Sequence, residues 1–83
     1  MRERRVRGRD RAFKPGIIEL GGSSISCIVR NLSEDGASLD VVKSHGLPDC
    51  FVLVMALNGM RRYCRVVWRK NMRIGVAFDL IST

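Results

Sequence analysis

The stretch Ile25-Ser26-Cys27-Ile28-Val29-Arg30-Asn31-Leu32-Ser33-Glu34-Asp35-Gly36-Ala37-Ser38-Leu39-Asp40-Val41 decides the fold. Its first part alternates Ile25, Cys27 and Val29 with Ser24, Ser26 and Arg30; its last part alternates Ala37, Leu39 and Val41 with Ser38 and Asp40. A period of two places every second side chain on one face, which is the mark of a strand with one side buried. Between the two strands, Asn31 to Gly36 is polar and breaks the alternation, so the chain bends there.

Working outward, Gly16 to Leu20 is a short β-prone run that stops at Gly21-Gly22-Ser23-Ser24, a strong turn signal. On the other side, Val42 to Asp49 contains Ser, Gly and Pro and reads as a connection. Phe51 to Leu57 is apolar at both parities, so a strand covered on both faces is expected. Asn58-Gly59 is a favoured two-residue hairpin turn. Cys64, Val66 and Trp68 then alternate with Arg65, Val67 and Arg69, a turn is expected at Lys70-Asn71, and Ile74, Val76 and Phe78 alternate with Gly75, Ala77 and Asp79. A helix needs apolar residues at spacings of three and four, and only Val41 to Leu47 briefly supplies them. The chain is therefore all-β, about six short antiparallel strands closing into a small barrel that leaves few exposed edges. Its expected core is Ile18, Cys27, Val29, Leu39, Val41, Leu53, Val66, Trp68, Val76 and Phe78.

A chain of 83 residues has one modest core and no cleft between lobes, so a large multi-step enzyme is excluded. The net charge of +7 is concentrated. Residues 1–14 hold seven basic side chains (Arg2, Arg4, Arg5, Arg7, Arg9, Arg11, Lys14) against Glu3 and Asp10, whereas the remaining 69 positions hold eight basic and six acidic ones. This divides the chain into a basic, flexible N-terminal arm, 1–14, and a barrel, 15–83. The arm's basic residues are nearly all arginine, whose planar fork grips phosphates and guanine edges in two-pronged fashion, so an anionic partner is expected.

Three cysteines, Cys27, Cys50 and Cys64, have neither the number for a disulfide framework nor the spacing for zinc, and each sits among apolar residues as a small buried hydrophobe would. His45 lies in a turn-like stretch, so no metal site and no cofactor are expected. No apolar run approaches the roughly 18 residues of a membrane span. The basic start leads to Lys14-Pro15-Gly16 and not to an apolar signal region, so a cytoplasmic location is expected. One histidine in a turn and no paired carboxylates supply no catalytic constellation, and the chain is read as a non-enzyme.

Two features fall outside the strands. The arm contains Arg5-Val6-Arg7-Gly8-Arg9, with arginines four apart, and the bend Asn31-Leu32-Ser33-Glu34-Asp35-Gly36 has the form NxSxxG, beginning 22 positions after Arg9. Each has a plain alternative: a solvated tail for the arm, and a simple hairpin turn for the bend. In this order, ahead of an all-β body, they resemble the PilZ domain, a bacterial receptor module for the second messenger cyclic diguanylate (c-di-GMP), whose signature is RxxxR followed some twenty or more residues later by [D/N]xSxxG. Cys64 to Arg69 and Arg73 to Phe78 are also similar to that family's closing hairpin.

The resemblance implies a single-domain regulatory receptor that binds c-di-GMP through Arg5, Arg9, Asn31, Ser33 and Gly36, with Arg4 as an adjacent phosphate ligand. Arg7 and Arg11 form a competing RxxxR register. The chemistry is compatible: guanine O6 and N7 suit a bidentate arginine, phosphate oxygens suit the same fork, and alternate positions such as 31 and 33 point the same way in extended chain. Gly36 is expected to supply a positive φ that returns the chain to the next strand. Asn at position 31 lacks the charge an aspartate could set against guanine N–H donors. Trp68 is expected inward, in the core and not as a stacking platform. Arg61, Arg62, Arg65 and Arg69 read as a solvated basic strand face that could line the ligand's outer side.

The resemblance also implies output through an effector protein or a homo-oligomer. The alternative function is a small basic β-barrel binding single-stranded nucleic acid, which explains the charge equally well but calls for several exposed aromatics.

Overall fold

Alternation of apolar and polar side chains produces six strands: β1 (Lys14–Glu19), β2 (Ser24–Arg30), β3 (Gly36–Asp40), β4 (Cys50–Met55), β5 (Arg61–Lys70) and β6 (Arg73–Phe78). The computed structural model describes residues 13–79 apart from 43 and 45. All strand pairings are antiparallel, in the order β1-β2-β3-β6-β5-β4, and β4 pairs back onto β1 to close the barrel. Among the described residues there is no helix, in agreement with the expected fold.

Inward positions of all six strands meet in one core. Ile18, Val29, Leu39, Leu53, Ile74 and Cys64 are the largest side chains in full burial, joined by Cys27, Val41, Leu47, Phe51, Met55 and Val76. Burying one such aliphatic side chain is worth about 1.5–3 kcal/mol. An exposed ion pair on the outer surface, such as Arg61 with Glu19 at 2.7 Å, contributes far less, because water screens the charges and both side chains lose freedom. The interior therefore holds the fold, and the outer arginines tune it.

Five expectations are corrected. Trp68 is not in the core: a register shift between Val66 and Trp68 inserts an extra residue into β5, and the indole emerges on the outer face, 40% exposed, over Gly75. Val66 and Phe78 only pack against the core from its margin. The outer face of β4 is half-buried at Val52 and Val54 and not covered. The connection after β4 is a four-residue loop, Ala56 to Gly59, closed by the Met55 N–H on the Met60 carbonyl (2.8 Å); only Gly59 takes a positive φ (73°), while Asn58 Oδ1 caps the Met60 N–H. The following turn likewise falls at Asn71-Met72, one residue later than expected.

Of the cysteines, Cys27 and Cys64 are buried, whereas Cys50 is exposed at the start of β4, against the expectation of three buried thiols; all three are free. Burial pushes the Cys64 thiol up to about 12 and the Cys27 thiol up to about 11, since a thiolate would lose its water. Between β3 and β4 the irregular connection is fixed by Ser44, whose buried hydroxyl bonds to the Lys70 and Asn71 carbonyls (2.6 and 2.9 Å). His45 lies outside the described residues.

Candidate functional site

The start of β1, the β2–β3 bend and the end of β6 lie together at one end of the barrel. Lys14 pairs with Val29 just before the bend, and the Phe78 N–H donates to the Asp35 carbonyl at 2.8 Å. The bend is built by its own side chains. Asn31 takes a positive φ of 51°, the only non-glycine among the described residues to do so, and asparagine tolerates that left-handed conformation better than most. Ser33 then braces the turn: its N–H donates to the Gly36 carbonyl (2.9 Å), its hydroxyl oxygen accepts the Asp35 N–H (3.2 Å), and the hydroxyl approaches the same Gly36 carbonyl (3.3 Å). This is a local serine turn.

Gly36 serves a purpose other than the expected one. Its φ is not positive. A Cβ at this position would fall inside the contact distance of the Val76 carbonyl oxygen on β6, so the bend sits flush against β6 only because residue 36 has no side chain. The left-handed residue that turns the chain is Asn31, at the other end of the motif.

Two arginines flank the bend, and one of them bonds to it. The Arg62 guanidinium stacks 4.3 Å over the Phe78 ring and donates to the Glu34 carbonyl at 3.3 Å. Arg30, next to Asn31, stacks 4.1 Å from the Phe13 ring centroid and donates to Asp40 Oδ2 at 2.7 Å, while Arg73 Nε holds Asp40 Oδ1 at 2.6 Å. Burial acts to raise the pKa of the Asp40 carboxyl, but the hydrogen bonds and charges of Arg30 and Arg73 prevail, and it lies below the ordinary value of 3.8. The other arginines of β5 are ion-paired: Arg61 with Glu19, Arg65 with Asp79, Arg69 with Asp49.

Of the expected site residues, Asn31, Ser33 and Gly36 come together in one braced bend. Arg4, Arg5 and Arg9, and the competing pair Arg7 and Arg11, lie outside the described residues. The first described residue after them, Phe13, rests on Arg30, the residue before Asn31. Sequence reading missed Arg30, which looks like an ordinary strand-end cation, took Arg62 only as one of four arginines on a solvated strand face, and missed the outward turn of Trp68. Gly75 is the signal that pointed to the latter, because a glycine within a strand marks a close approach. Ser38 pairs with Gly75 and Gly36 with Ala77, so the exposed indole covers the outward position next along the sheet from Gly36. No group of His, Cys, Asp or Glu among the described residues is arranged to hold a metal ion, and no helix is long and apolar enough to cross a membrane.

The comparison with curated proteins and that with solved structures returned no match. The profile of the PilZ domain family matches residues 3–83. A closed six-stranded barrel with the NxSxxG bend at the end where Phe13 rests on Arg30 is thus accompanied by a family match over essentially the whole sequence, and the chain belongs to the PilZ domain family.

Proposed function

We propose that this chain is a cytoplasmic receptor for c-di-GMP that works in two parts, the arm 1–14 and the barrel 15–83. Its membership of the PilZ domain family, a c-di-GMP-binding and regulatory family, supports a receptor role. In this reading Arg5 and Arg9, with Arg4 beside them, close on the ligand's phosphates and guanines, while Asn31 and Ser33 present polar groups from the bend and Gly36 keeps the bend seated on β6. The observation that carries the reading is the entry of the basic arm at Phe13, stacked on Arg30 beside Asn31. Ordering the arm costs conformational entropy, which charge-assisted hydrogen bonds to phosphate must exceed, and that ordering is the signal passed to an effector.

Trp68, the chain's one tryptophan, supplies a readout because its indole is partly exposed on the outer face near Gly36. Titration with c-di-GMP is expected to change its emission and to saturate at moderate salt. A second reading, single-stranded nucleic acid binding, gains from the exposure of three of the five aromatics, Phe13, Tyr63 and Trp68. Calorimetry with c-di-GMP beside a homopolymer oligonucleotide separates the two. Binding to the oligonucleotide alone, falling steeply with salt, refutes the receptor reading.

A further inference from the structure

The seam between β2 and β3 is short. β2 pairs with β1 from Ser24 to Val29, but with β3 only at Ile28, Val29 and Arg30. Beyond Asp40 the chain turns away from β2, and the Val41 N–H bonds to the Met72 carbonyl (2.9 Å) at the β5–β6 turn. The β3-side edge of Ser24 to Cys27 therefore has no strand beside it among the described residues. It opens onto a groove of about 650 Å³ whose lining is apolar at Cys27, Ile28, Val41, Val42 and Met72 and charged at Asp40, Lys70 and Arg73. Ile28 is 40%, Val42 73% and Met72 63% exposed. The groove lining contains no residue of the bend Asn31 to Gly36.

An unpaired strand edge is a template for another strand, and natural edges are usually blunted by charge, proline or a bulge. Ser24-Ile25-Ser26-Cys27 has none of these. The geometry points to a strand-addition site: an extended segment of a partner protein, apolar at one parity and acidic at the other, pairs with Ser24 to Cys27 and lies in the groove. Alternate side chains of an added strand point to opposite faces. One set meets the apolar lining, and the other faces the outer surface where Arg30 and Arg73 share the single carboxylate of Asp40 and leave positive charge in excess, with Lys70 nearby. The same charge argues against a second copy as occupant, since each chain carries +7. The site does not depend on the c-di-GMP reading.

The test uses the full chain, isotope-labelled for amide shifts, with two synthetic eight-residue probes, one alternating valine and glutamate and one alternating valine and lysine. The glutamate peptide is expected to shift the amides of Ser24 to Cys27, Val42 and Met72, and the lysine peptide to bind about tenfold more weakly. Met72→Glu, an exposed position that leaves the core alone, is expected to abolish the shifts; Ser26→Pro, which removes an edge N–H, provides a second variant. Equal affinity for both peptides, shifts confined to the Asn31 to Gly36 bend, or no shifts at millimolar peptide overturn the proposal. So does sedimentation showing that this edge is occupied by self-association.

Discussion

At Gly36 and Asn31 the same bend makes opposite demands on its residues. Gly36→Ala drives a methyl into the Val76 carbonyl, and backbone cannot yield as a side chain can. Such overpacking costs about 1–3 kcal/mol, or roughly 10 °C of melting temperature in a chain of this size, measurable by thermal unfolding. Asn31→Gly, by contrast, relieves the positive φ of 51° and is expected to leave stability within about 0.5 kcal/mol. If Asn31 donates or accepts a hydrogen bond to the ligand, the same variant weakens c-di-GMP about tenfold, so one substitution separates binding from folding. Gly75→Ala is the third case. There the obstacle is the Trp68 indole, which can lift away, so a red shift of tryptophan emission is expected with a smaller loss of stability than at Gly36. The sequence marks all these positions as special, yet not in what way: glycine satisfies both a left-handed turn and a close approach, and only the neighbouring strand's position tells them apart.

At the level of the strands, Asp40 joins three elements through one carboxylate, since β3 carries it while Arg30 of β2 and Arg73 of β6 hold its two oxygens. Its pKa is lowered in the folded chain, so the unfolded chain binds the proton more readily around the ordinary value of 3.8. The stability this group contributes is complete above that value and disappears as pH falls through the lower folded value. Asp40→Asn is expected to flatten that acid limb in denaturant unfolding between about pH 5 and pH 2. Strand existence and order of appearance were legible because one-sided burial imposes a period of two. The fate of Trp68 was not, because alternation counts residues as if none were inserted, and the shift at Val66/Trp68 reverses parity from that point on. Phe51, Met55, Cys64 and Ile74 entered the core on the same logic that placed Leu53 and Val76 there, but Phe51 to Leu57 was apolar throughout, and a pattern without contrast cannot show which parity faces inward.

For the whole molecule, closure of the barrel seals two of the three thiols. Cys50 is expected to react alone with a thiol reagent at neutral pH, with Cys27 and Cys64 following only on unfolding, as a thiol count before and after denaturant will show. Because the folded pKa values of Cys27 and Cys64 are raised above 9.0, their contribution to stability is present below pH 9 and lost as pH rises toward 11–12. Barrel closure also explains what the sequence could say of the site. The NxSxxG bend was visible because its residues are contiguous, whereas Arg30 comes from β2 and Arg62 and Trp68 from β5, two strands far apart in sequence that only the pairing β2-β3-β6-β5 brings around it. The central claim is that arm and bend act on one cyclic dinucleotide. Calorimetric titration of c-di-GMP into the full chain and into a chain lacking residues 1–11 tests it most directly: the account predicts saturable binding to the first and loss of nearly all affinity in the second, with the barrel still melting cooperatively. Undiminished binding by the shortened, folded barrel would contradict it.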